Sequence, residues 1–153
     1  MSDTEPGPEL VNAMNARGFD SALGLRVTEA TADRVVGEWA VVPSLHQAAG
    51  LLHGGVHCAV VESLASTGAW VWLRSRGVEG GVVGVSNSTD FLRPVGEGTL
   101  RAEATPVHRG RTQQLWQVVV TDDRARTVAR GQVRLQNLPP TGSRRSAGEA
   151  GDC

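Results

Sequence analysis

The sequence predicts an α+β domain in which an antiparallel sheet wraps one long central helix. Two observations carry that expectation. Residues 54–73 are apolar on nearly every side, as a helix covered on most faces must be. Around that segment stand strand-like runs, two before it and four after it, each bounded by glycine, proline or charged turns. A lone helix in an otherwise antiparallel chain has only the sheet to bury it.

Taken in order, residues 8–18 open on Pro8 and close on Gly18, the signature of a short helix. Strand-like runs follow at 24–30 and 35–42, separated by the polar turn Thr31-Ala32-Asp33-Arg34, and Pro43 ends the second. Residues 44–53 form a loop that leads into the central helix. Beyond the glycine-rich, charged stretch 74–81, four further strands are expected at 82–92, 99–108, 112–121 and 127–135. The breaks between them are Pro94-Val95-Gly96-Glu97-Gly98, Arg109-Gly110-Arg111 and residues 122–126. The chain thus divides into an N-terminal segment (1–22), a main domain (23–138) and a tail (139–153) whose lack of apolar residues predicts disorder. No internal repeat is evident. A sheet curled around one helix leaves edge strands, which invite pairing between two copies.

A chain of 153 residues fits one domain, and folding at this size buries about two-thirds of the unfolded surface. Net charge is −1, so no global field points to nucleic acid or an anionic membrane. All fifteen basic residues are arginine. Guanidinium groups suit bidentate phosphate contacts, although a genome-wide codon preference explains the bias equally well. Cys58 lies in an apolar run and Cys153 ends a polar tail, so a disulfide is not expected and a reducing, cytoplasmic compartment is. The opening residues lack the pattern of a signal peptide. The run 56–73 carries His57, Glu62, Ser63, Ser66 and Thr67, too many polar groups for a membrane span.

Glu62 is the only charged side chain in residues 54–73. Burying a lone carboxylate is costly, so it either occupies an exposed stripe, enters an ion pair, or does chemistry. Ser66 lies at i+4 on the same helix face, within reach of that carboxylate or a water beside it. Ser63 and Thr67 point elsewhere and read as packing or back-bonding residues. Immediately before the helix, His53-Gly54-Gly55 lets the backbone approach a ligand closely, where free N–H donors and the helix dipole can polarise a carbonyl. The plain alternative is a loop-to-helix turn. Gly54 and Glu62 are eight residues apart, so one helix holds them about 12 Å apart. If both serve one carbonyl they must come from different subunits, which sets the site at a two-fold dimer interface.

His53 and His57, at i and i+4, have zinc-helix spacing. Gly54 stands where such a motif needs its general-base glutamate, so no metal is expected. His57 reads as a partly buried core or interface residue, and His46 and His108 as surface or loop residues. Trp39, Trp70, Trp72 and Trp116 read as core or interface anchors, any one of which could line a pocket for an aromatic group. Gly80-Gly81-Val82-Val83-Gly84 precedes no helix and is not a dinucleotide fingerprint.

The segment Gln47-Ala48-Ala49-Gly50-Leu51-Leu52-His53-Gly54-Gly55-Val56-His57-Cys58-Ala59-Val60-Val61-Glu62-Ser63-Leu64-Ala65-Ser66 resembles the hotdog-fold acyl-CoA thioesterases. It looks closest to the PaaI-like branch with Glu-dependent 4-hydroxybenzoyl-CoA and 1,4-dihydroxy-2-naphthoyl-CoA thioesterases. The shared pattern is Gln, His-Gly-Gly, Glu, then Ser or Thr. Downstream, Ser86-Asn87-Ser88-Thr89-Asp90-Phe91-Leu92-Arg93-Pro94-Val95 and His108-Arg109-Gly110-Arg111-Thr112 extend the resemblance, which covers roughly residues 23–137.

The resemblance implies that Glu62 attacks a thioester carbonyl or activates water against it. It further implies that Gly54 N–H and Gln47 polarise that carbonyl, that Ser66 positions the water, and that His53 orients the loop or the leaving thiolate. Substrate and CoA contacts are implied at Gly55, Gly84, Phe91, Leu92, Arg93 and Pro94, and along the turn His108, Gly110, Arg111, Thr112 and Gln113. No cofactor is implied, CoA being part of the substrate. The partners implied are the acyl-CoA and further copies of the chain, as a dimer or dimer of dimers. The favoured acyl group is aryl or dihydroxynaphthoyl, ahead of phenylacetyl or medium-chain groups. A thioester is already activated, so one carboxylate with oxyanion donors suffices without a Ser-His-Asp triad. Hotdog domains also act as dehydratases and as non-catalytic acyl-CoA-binding modules. The catalytic His–acid pair of a dehydratase is not seen, whereas the binding module remains the alternative.

Overall fold

A computed structural model describes residues 6–140. Six strands form a single antiparallel sheet: β1 (Arg26–Ala30), β2 (Val35–Ala40), β3 (Gly81–Phe91), β4 (Thr99–Arg109), β5 (Gln113–Thr121) and β6 (Thr127–Leu138). Their order across the sheet is β1-β2-β4-β5-β6-β3. The central helix, α3 (Gly54–Ser75), packs against every one of them. This is the expected architecture, with the helix running two residues past its predicted end and β6 three past its own.

Strand alternation explains how the helix is held. In β5, Gln114, Trp116, Val118 and Val120 are buried against the helix while their neighbours face outward. The ring of Trp116 lies so near α3 that a Cβ at Gly68 would come within 2.5 Å of it. A mid-helix glycine, ordinarily unfavourable, therefore sets how closely helix and sheet approach.

The single N-terminal helix expected over 8–18 is two, α1 (Pro8–Asn15) and α2 (Phe19–Leu23). Gly18 is extended and serves as the N-cap of α2, so it restarts the helix rather than closing it. The Asn12 amide donates to the Val27 carbonyl at 2.7 Å and accepts from the Val27 N–H at 2.9 Å. That pair occupies part of the free edge of β1. The opposite edge, β3, is eleven residues long and mostly exposed, with Val83 and Val85 half uncovered. One edge is blunted and the other is left open. The tail expected from 139 onward lies, past Pro140, outside the described residues.

Candidate active site

The loop before α3 is fastened by backbone. The Gln47 N–H donates to the Leu51 carbonyl at 2.8 Å and the His53 N–H to the Leu45 carbonyl at 2.9 Å. The His46 Nε2 sits 2.9 Å from the Gly96 carbonyl, tying this loop to the one after β3. His53 caps the helix: its Nδ1 accepts from the Gly55 N–H at 2.8 Å, and its carbonyl accepts from the Val56 N–H at 2.9 Å. Gly55 is thereby spent on the cap. Among the described residues the Gly54 N–H has no partner, so it is the free donor at the positive end of a 22-residue helix. The Gln47 side-chain oxygen accepts from the Ala49 N–H, and its amide nitrogen, unpartnered among the described residues, is left as a second donor.

These groups line a cleft of about 350 Å³ together with His57, Phe91, Leu92, Arg93 and Pro94. The Phe91 ring occupies the place a Cβ would take at residue 54, where the approach would be 2.5 Å. Glycine is required there by the ring beside it, while the N–H points away along the helix axis. His57 is buried, and desolvation lowers its pKa from 6.5 to about 4.

Two turns along the helix stands Glu62. Among the described residues its carboxylate has no hydrogen bond or ion pair, and it rests against Gly84, whose Cβ would stand 2.9 Å from Oε1. Glu62 itself is exposed, while Ala59, Ser63 and Ser66 on the same face are partly covered. Of the alternatives open to it in the sequence, the single chain shows the exposed stripe. The groove it faces holds about 400 Å³ and is walled by Asn15, Phe19, Asp20, Ser63 and Ser66. Asp20 accepts from the Ser63 hydroxyl at 2.6 Å and from the Asn15 amide at 2.9 Å, which pins α1 and α2 beside α3. Thr67 donates back to the Ser63 carbonyl at 2.8 Å. Ser66 lines this groove and also an adjoining, largely apolar pocket of about 270 Å³ bounded by Val11, Met14, Trp70 and Val82.

The third group lies apart. Gly110, Arg111 and Thr112 form the turn between β4 and β5, flanked by His108 and Gln113, at the far end of α3, where the Arg109 guanidinium lies 5.4 Å from the Trp72 ring centre. That is the length of the helix, about 33 Å, from Gly54. His108 and Gln113 line a cavity of about 410 Å³ on the outer face of the sheet with Ser86, Ser88, Gln132 and Arg134. One chain therefore joins Gln47, Gly54, Phe91, Leu92, Arg93 and Pro94, places Glu62, Ser66 and Gly84 together elsewhere, and sets the hairpin apart from both. Sequence reasoning missed Asn15, Asp20, Val11 and Met14. Their place beside Glu62 comes from the fold of the N-terminal helices, and no motif marks it. Among the described residues no cluster of His, Cys, Asp or Glu could hold a metal, and no helix is long and apolar enough to cross a membrane.

The family model described as "Thioesterase superfamily" matches residues 49–129. The chain is 51% identical over 135 residues to Rv1847 of Mycobacterium tuberculosis strain H37Rv, an esterase by name, covering 88% of this chain and 96% of that protein. It is 36% identical over 116 residues to the proofreading thioesterase EntH of Klebsiella pneumoniae, covering 76% of this chain and 82% of EntH. In three dimensions it resembles the thioesterase HI1161 of Haemophilus influenzae, with a TM-score of 0.85 and 25% identity, covering 94% of this chain and 98% of the other. With the long helix wrapped by its antiparallel sheet and the matched segment spanning both helix and strands, the chain belongs to the thioesterase superfamily and has the hotdog fold.

Proposed function

We propose that the protein hydrolyses an aryl- or dihydroxynaphthoyl-type acyl-CoA thioester to the free acid and CoA, in the cytoplasm, with active sites shared between two subunits. The observation that carries this reading is a division of labour along α3. Unpartnered donors (Gly54 N–H and the Gln47 amide) stand at its start, an unpartnered carboxylate (Glu62) stands two turns on, and the open edge of β3 runs between them.

The lengths fit. Phe91 packs on Gly54 and Gly84 packs on Glu62. An antiparallel pairing of β3 with its copy, centred between Asn87 and Ser88, sets Gly84 opposite Phe91 and so brings Glu62 of one chain toward the donors of the other. The same symmetry makes two sites. Covering the Glu62 stripe with the second chain also removes its carboxylate from bulk water, where charge interactions are weak.

In the reaction, the thioester oxygen accepts from Gly54 N–H and Gln47, which stabilise the negative charge that develops on it. The Glu62 carboxylate attacks the carbonyl carbon, or takes a proton from the attacking water held by Ser66, and the C–S bond breaks to release the CoA thiolate. If an anhydride forms, water cleaves it. Arg93, at the mouth of the donor cleft, and the hairpin 108–113 serve the nucleotide end of CoA, the hairpin only if further copies bring it near. EntH acts as a proofreading thioesterase by name, which favours turnover over a binding module. The direct test is release of free thiol from a panel of aryl and aliphatic CoA esters. Hydrolysis by the native chain that is lost in Glu62→Gln supports the enzyme, whereas tight binding with no thiol released supports the module.

A further inference from the structure

His57 is 4% exposed, yet among the described residues neither ring nitrogen has a hydrogen-bond partner, and Nδ1 is sealed from solvent. The indole Nε1 of Trp39 is sealed and unpartnered too. The two rings meet edge to face, with centres 6.4 Å apart. Buried polar atoms without partners are rare and call for a physical cause. On its other side the His57 ring stacks on Phe91, 5.8 Å between centres, and borders the cleft that holds Gly54 and Gln47. Helical side chains lean toward the N-terminus, so the ring inclines over the turn that carries the Gly54 N–H three residues earlier.

We propose that His57 is a further catalytic residue, a donor whose Nε2–H binds the substrate carbonyl oxygen beside the Gly54 N–H. This rests on the thioesterase reading above. Trp39 seals one side of the ring: its indole and the His57 Nδ1 are both closed off from solvent. An indole N–H can only donate, so it offers no acceptor to a proton on Nδ1. The ring proton belongs on Nε2, the nitrogen that is not sealed away. Burial keeps the imidazole neutral at physiological pH, and a neutral imidazole next to a helix start is a competent electrophile toward a carbonyl. No proton need be transferred: the donor is aimed at the oxygen before charge develops there, which is how preorganised donors contribute most. The bland alternative is an aromatic packing role between Trp39 and Phe91.

The test compares His57→Phe, which keeps a flat ring, and His57→Gln, which restores a donor, with Glu62→Gln as reference. Two readouts are used: thiol release from benzoyl-CoA, and the infrared carbonyl band of the analogue with CH2 in place of the thioester sulfur. The expected result is a 10- to 100-fold lower kcat in His57→Phe with KM within about two-fold. The carbonyl band of the bound analogue moves back toward its solution position, and His57→Gln recovers part of both. Unchanged kcat and band in His57→Phe, with activity still lost in Glu62→Gln, overturn the donor role and leave the hydrolase reading intact. If the native protein releases no thiol, the hydrolase reading falls; the catalytic role then falls with it, whatever the band shows. Should His57→Phe fail to fold, the 15N-labelled native protein decides. A proton on Nε2 that shifts downfield when the analogue binds supports the assignment, and a proton on Nδ1 overturns it.

Discussion

At the scale of the residue, Glu62 and Gly84 form a pair in which the smaller member controls the larger. A methyl group at Gly84 would stand 2.9 Å from the Glu62 oxygen, the far end of a flexible side chain. Gly84→Ala should therefore leave stability within about 0.5 kcal/mol, as surface changes usually do, while displacing the carboxylate and lowering kcat about ten-fold or more. Thermal melting alongside thiol release checks both halves. Glu62 itself was legible in the sequence as the one charge in an apolar helix. Asp20 and Asn15, which wall the groove beside it, were not. Each is an ordinary polar residue near a helix end, and only the hydrogen bonds from Ser63 and Asn15 to Asp20 give them a place. Spacing reveals partners within one element and is silent about partners between elements.

At the scale of the element, the central helix is set by two glycines that touch rings. A Cβ at Gly68 would meet Trp116 within 2.5 Å. Gly68→Ala, which raises helix propensity, should nonetheless destabilise the fold by about 1–3 kcal/mol, as overpacked cores do, measured by chemical denaturation. Gly54→Ala meets Phe91 at the same distance. Its loss of stability should be largely restored by adding Phe91→Ala, a coupling visible in a double-mutant cycle. His57 adds a pH dependence to this helix. Its folded pKa of about 4 lies below the unfolded value of 6.5, so between those limits the unfolded state binds the extra proton and stability rises with pH. Lowering the pH from 7 toward 4.5 should lower Tm, and His57→Phe should flatten that slope. The elements themselves were largely legible, since apolar runs and turn residues mark strands and the buried helix. The break between α1 and α2 was not, because a glycine that ends one helix looks the same as a glycine that caps the next.

At the scale of the whole molecule, the single chain holds the parts of the proposed site and leaves them apart. The two edges of its sheet differ, β1 being capped by Asn12 and β3 left open with half-exposed Val83 and Val85. A charge on an open edge discourages self-pairing, so Val85→Lys should shift the protein from dimer to monomer in sedimentation and abolish thiol release together. The proposal of a site shared by two subunits starts from the spacing of Gly54 and Glu62 along one helix, which is already present in the sequence. The acyl group was not legible, and the apolar pocket beside the Glu62 groove, lined by Val11, Met14, Trp70 and Val82, draws on segments far apart in the chain.

Subunit complementation tests the shared site most directly. One chain carries Glu62→Gln and the other Gly54→Pro, which deletes the donor N–H, each inactive as a pure dimer. A mixed dimer should regain one intact site and about half the native thiol release. If the mixed dimer forms and stays as inactive as its parents, carboxylate and donor serve the same chain's chemistry, and the shared site is refuted.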